Sequence, residues 1–110
     1  MLRRFLTASA LLLTATAAQA APVFLGNDTW MVEDDRGTAY GITVQFQDRE
    51  GDYAVRLCSE NGKCDFRWVR CSNDTIATRY SDGSVSEWRY VDHRKIEGWM
   101  SDAACGRMLR

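Results

Sequence analysis

The chain has one histidine, one proline and no Cys-x-x-Cys pair in 110 residues, and it has no excess of basic charge. The first and third of these absences remove a zinc site, because His93 stands far in sequence from every cysteine and no ligand spacing is left; no cofactor is expected. With 14 basic and 15 acidic residues the net charge is −1, and it becomes −3 if residues 1–20, which include Arg3 and Arg4, are removed. A mixed, weakly acidic surface lacks the footprint that binds nucleic acid or anionic membrane, so neither is an expected partner. No repeat at solenoid period, no low-complexity tract and no long amphipathic helix occurs after residue 20.

What is present starts with a secretory signature. Arg3 and Arg4 precede an apolar run over residues 5–18, and Ala18-Gln19-Ala20 offers a small-x-small cleavage site before Ala21. The run is too short and too rich in alanine and threonine to anchor comfortably in a bilayer. The expected organisation is therefore a signal peptide at 1–20 and one exported domain at 21–110, periplasmic or secreted, with no membrane insertion after signal removal. About 90 residues bury a small core, so four cysteines in an oxidising compartment read as two staples.

Residues 53–71 hold three of those cysteines around Glu60-Asn61-Gly62-Lys63. Asn-Gly between two alternating runs is a strong hairpin signal. In such a hairpin Cys58 and Cys71 lie roughly 20 Å apart, and Cys64 and Cys71 slightly more, at about 3.3 Å per residue. A disulfide needs Cα atoms within about 7 Å, which leaves Cys58 with Cys64 and Cys71 with Cys105. The register is in conflict with itself. A two-residue turn sets Leu57 opposite Phe66 and Val55 opposite Trp68 but points Cys58 and Cys64 to opposite faces. A three-residue loop with Gly62 left-handed opposes the cysteines and breaks the apolar match. An extra, bulged residue at Asp65 reconciles the two, and this is the version favoured here.

The remaining chain reads as short strands divided by turns. Residues 21–27 form an extended lead-in and 28–33 a first strand, ended by Asp34-Asp35-Arg36-Gly37. Tyr40, Ile42, Val44 and Phe46 alternate with Gly41, Thr43, Gln45 and Gln47, as a half-buried strand should. After a turn at 48–52 and the cysteine hairpin, residues 74–80 and 85–91 pair around Ser81-Asp82-Gly83, with Ile76 opposite Trp88, Thr78 opposite Ser86, and Arg79, Val85, Glu87 and Arg89 on the outer face. Residues 96–100 form a last strand, and Ser101 or Asp102 caps one helical turn that returns Cys105 to the sheet. The fold class is thus all-β: a small disulfide-stapled antiparallel β-barrel or compact β-sandwich, about seven short strands in a meander, with a short C-terminal helical turn.

Trp88, Trp99 and Tyr80 are candidate binding residues because interaction sites combine aromatic area with few polar groups, although the same rings suit a small core. Arg89 and His93 complete the candidate set. His93 beside Asp92 has the makings of a general base, but no serine lies in a nucleophile-elbow context and all thiols are expected to be oxidised, so no catalytic residue is assigned. Asn27-Asp28-Thr29 and Asn73-Asp74-Thr75 match the glycosylation pattern and read better as turns that start strands. The arginines at 56, 67, 70, 79, 89 and 94 form either a patch for an acidic partner or solvated neighbours of the interspersed acids.

Thr78-Arg79-Tyr80-Ser81-Asp82-Gly83 with Trp88 resembles the late segment of the small exported inhibitors of c-type lysozyme, which are disulfide-containing β-barrels. The chain lacks that family's Ser-x-Gly just before the tyrosine, and its cysteines are placed differently, so no functional residue is carried over. The first functional expectation is a non-catalytic binding protein, an inhibitor or accessory subunit whose partner is another exported protein. A carrier of a small apolar ligand in a barrel interior is the alternative, and a hydrolase using His93 the third.

Overall fold

A computed structural model describes residues 21–110; the signal-peptide reading of residues 1–20 lies outside them. Seven strands follow one another as β1 (Val23–Gly26), β2 (Thr29–Glu33), β3 (Ala39–Gln47), β4 (Tyr53–Ser59), β5 (Cys64–Arg70), β6 (Thr75–Thr78) and β7 (Arg89–Tyr90), and the chain ends in α1 (Ile96–Ala104). Each strand pairs antiparallel with the next in a single sheet of order β1 to β7. The sheet is not closed: β1 and β7 are its two edges, and α1 packs on one face against β2, β3, β4 and β5.

Four of the hairpins use one loop. At 34–38, 48–52, 59–63 and 80–84 the first residue's N–H donates to the last residue's carbonyl, and the glycine's N–H donates to the first residue's carbonyl. The glycine takes φ near +90°, as at Gly62 (φ 89°), a backbone state that a side chain disfavours. The β1–β2 turn differs, with Asn27 and Asp28 both left-handed, the requirement of a two-residue hairpin turn. Both glycosylation-like triplets therefore sit in turns that start strands, and Thr29 and Thr75 bond back to Asn27 and Asn73.

The disulfides are Cys58–Cys64 and Cys71–Cys105, as the hairpin geometry demands. The bulge at Asp65 is absent. Cys58 opposes Cys64, and the register runs straight on, with Leu57 opposite Asp65, Arg56 opposite Phe66, Val55 opposite Arg67 and Ala54 opposite Trp68. Phe66 and Trp68 thus turn away from α1, and Val69 and Ile76 fill the core in their place. A bulge does occur in β3, between Val44 and Phe46, and it rotates Phe46 off the face of Ile42 and Val44. Phe46 is 52% exposed, against the strict alternation expected of that strand.

Two boundaries also differ. Residues 23–26, expected as a lead-in, form β1, because Pro22 precedes the ladder and costs it no hydrogen bond. Residues 96–100, expected as a strand, are the first half of α1. Ile96, Met100, Ala103 and Ala104 face the core at helical spacing, and Gly98 lies so close to the preceding loop that an added Cβ would meet His93 Cα and O at 2.9 Å. In the last hairpin Thr78 does face Ser86, but Ile76 opposes Arg89 instead of Trp88 because one extra residue enters between 86 and 89.

That slip sends Arg89 inward rather than to the outer face. Its guanidinium grips the Glu97 carboxylate of α1 at 2.6 and 2.7 Å, and Glu97 also accepts the Asp92 N–H at 2.7 Å. Burial alone would raise the Glu97 pKa; the bonds from Arg89 and Asp92 outweigh it and leave the carboxyl below its ordinary value. A carboxylate held this way contributes stability above its unfolded pKa, and the contribution is lost as pH falls through the folded value. Glu97→Gln should therefore cost about 2 kcal/mol near neutrality in urea titrations, with the deficit shrinking as pH drops below about 4.5. A deficit that stays constant from pH 7 to pH 3 would show that the charge is not what matters.

Candidate functional site

Directly opposed residues in an antiparallel sheet share a face, so the registers assign every side chain on the side away from α1. Val23, Met31, Gly41, Cys58 and Cys64 form one row across β1 to β5. Thr29, Thr43, Arg56 and Phe66 form the next, and Arg79 and Val85 continue it, since the Arg79 N–H donates to the Phe66 carbonyl and Arg79 bridges Val85. Phe46, Ala54, Trp68 and Ala77 form the third. None of the three rows holds an aspartate or glutamate.

Phe66 lies between the two arginines. The Arg79 guanidinium stands 4.9 Å from the Phe66 ring centroid and 5.5 Å from that of Trp68, while Phe46 meets Trp68 edge-on at 5.7 Å. Arg79 donates to the neutral Gln45 Oε1 at 2.6 Å, so the residue that the β3 bulge inserts steadies the arginine. Among the described residues neither Arg56 nor Arg79 has a carboxylate partner, and the Nε of each is buried without a hydrogen bond. Burial against the rings pulls Arg79 below the ordinary guanidinium pKa, the mark of a cation without a counter-charge. Gly41 carries no side chain beside Met31 and Cys58, and the gap is a shallow groove of about 170 Å³ that also takes in Leu25 and Tyr40, with Glu60 as its one charged lining residue.

The residues singled out from sequence do not converge. Trp99 and His93 line one cleft of about 440 Å³ with Asp34, Asp35, Tyr40 and Arg94. Trp88 lies under the Arg70 guanidinium at 4.1 Å, and Arg70 is bonded to Asp52 at 2.8 and 2.9 Å. Tyr80 is exposed at the 80–84 loop, and Arg89 belongs to the ion pair with Glu97. Phe46, Phe66, Trp68 and Arg79 were missed as a group, because one face unites them only after the β3 bulge and two hairpin registers are known.

His93 is oriented by Asp74, at 2.6 Å, and Asp92 bonds Arg94 instead. Ser101 touches the same Asp74 at 3.5 Å but is fully buried and bonded by Arg107, so it offers no nucleophile to a substrate. A further cleft, about 700 Å³ beside Cys71–Cys105, is rimmed by Asp28, Glu50, Asp52, Arg70 and Arg110 and has no tryptophan in its lining. Asp48, Glu50 and Asp52 approach within 4.8 Å of one another there; Asp48 accepts the N–H groups of Glu50 and Asp52, and Asp52 binds Arg70, which accounts for two of the three. No described helix is long and apolar enough to cross a membrane. No family model matches the chain, and no curated protein or solved structure matches it.

Proposed function

We propose that this is a small exported, non-catalytic binding protein, periplasmic or secreted, that docks another exported protein on the sheet face opposite α1, as an inhibitor or accessory subunit. Two disulfides suit an oxidising compartment, and the signal-like residues 1–20 support export. The carrying observation is that this face has an aromatic and arginine centre on which, among the described residues, no helix packs, whereas the other face is filled by α1. Aromatic and arginine side chains are the types that dominate protein interfaces. The test is a photo-crosslinking residue at Phe46 or, separately, at Lys95 beside the His93 and Trp99 cleft, introduced in the native host. A discrete protein adduct from position 46 and none from 95 is expected. Adducts at 95 alone, or none at either, would overturn the assignment.

A further inference from the structure

We infer that the occupant of this face is a protein segment bearing carboxylates next to an apolar side chain, with a carboxylate between Arg56 and Arg79 and the apolar group in the Gly41 groove. The inference rests on the docking reading above and adds the chemistry of the partner. Its basis is charge complementarity. The chain carries 15 acidic residues, yet the three central rows of this face hold two arginines and no acid, and no described carboxylate reaches either arginine. Elsewhere Arg70, Arg89, Arg94, Arg107 and Arg110 are paired, while Arg36 and Arg49 in exposed turns and Arg67 on the helix side have no ion pair among the described residues.

Phe66 sets the spacing. It lies opposite Arg56 on β4 and bonds the backbone of Arg79 on its other side, so the two arginines flank Phe66 in one row across three adjacent chain segments, and the Arg79 guanidinium stands 4.9 Å from its ring centroid. The stacked Arg79 spends one Nη2 donor on Gln45 and buries its Nε, so a carboxylate would meet its remaining Nη donors, and little side-chain freedom is left to lose on binding. One row away, the missing Gly41 side chain leaves the groove floored by Met31 and Cys58. A flat cationic and aromatic centre with an apolar notch two residues distant matches an extended acidic segment, whose side chains on one face repeat at the same interval.

The probe is a random copolymer of glutamate and tyrosine, titrated against the exported protein and read by tryptophan fluorescence and by anisotropy of labelled copolymer. Binding that weakens steeply between 50 and 300 mM salt is expected. Arg56→Gln with Arg79→Gln should weaken it at least tenfold, and the corresponding lysine pair should recover part of the loss. Gly41→Leu, which adds a side chain where nothing lies within 4 Å, should weaken binding without lowering the melting temperature. The charge-matched control Arg36→Gln with Arg49→Gln, two exposed arginines in turns, should bind as the unaltered protein does. Equal losses in control and face variants would overturn the inference, as would tighter binding of dextran sulfate or of phosphatidylglycerol vesicles. An adduct at position 46 that survives both glutamine substitutions would leave the docking surface standing and remove its acidic partner.

Discussion

Replacing Cys71 and Cys105 with alanine is expected to lower the unfolding free energy by about 4 kcal/mol, against about 2 kcal/mol for Cys58 and Cys64. The difference follows from the loops closed, 34 residues in one case and 6 in the other. In the chain-entropy view a cross-link acts on the unfolded ensemble, and the longer loop removes more of its freedom. For a domain of this size, total stability is of the order of 5 to 10 kcal/mol, so the loss is a large share of it and corresponds to a fall in melting temperature of roughly 15 to 30 °C. Cys71–Cys105 also ties the end of β5 to the residue that follows α1, and both sulfurs pack against the core. Urea titration of the two alanine pairs supplies the comparison, and near-ultraviolet circular dichroism of the folded states shows whether α1 still docks. Equal destabilisation by the two pairs, or a larger effect from the short one, would rule out loop length as the cause.

The bridges themselves were legible because they need only distances along a hairpin, and a register error of one residue leaves those almost unchanged. Faces are less forgiving. A single inserted residue reverses every side chain beyond it, and the β3 bulge at Gln45 does this to Phe46. Nothing in the alternating run from Tyr40 to Phe46 signals the insertion. The turns were legible wherever a glycine fixed the loop, at Gly37, Gly51, Gly62 and Gly83, and the last hairpin went astray just after such a loop, where the extra residue between 86 and 89 carries no turn signal.

Helix α1 was misread for a different reason. Ile96, Gly98 and Met100 alternate like a strand, and a glycine inside a helix usually counts against it. Here the glycine admits the backbone of His93, a contact between segments that no local pattern reveals. The candidate site suffers most from this dependence. Arg56, Phe66 and Arg79 are individually visible in the sequence, but their lying in one row, with Arg79 on the Phe66 ring, is a property of two registers together. Arg70 and Arg89, equal candidates in sequence, prove to be ion-paired to Asp52 and Glu97.

Trp30→Ala should cost about 4 kcal/mol, in the range found for emptying a large aromatic site in a core. Trp30 is 1% exposed, packs its ring 5.0 Å from Phe24, and donates from Nε1 to the Leu109 carbonyl at 3.0 Å. The Arg110 guanidinium stands 4.9 Å over the same ring and bonds Asp28 at 2.6 Å. Trp30 therefore does two things that different variants separate: it fills the space between β2 and the helix side of the core, and it fastens the C-terminal tail, whose Leu109 side chain is itself exposed. Trp30→Phe keeps most of the apolar area and loses the donor, so it should cost only about 1 to 2 kcal/mol while releasing the tail. Amide hydrogen exchange at Leu109 and Arg110 should then be faster in both variants, whereas urea titration should separate them clearly. Unchanged exchange there in the phenylalanine variant would mean that the indole bond does not hold this segment. Because Trp30 faces α1 and Phe46 faces away from it, the phenylalanine variant should leave crosslinking from position 46 as it was, which separates loss of fold from loss of the docking face.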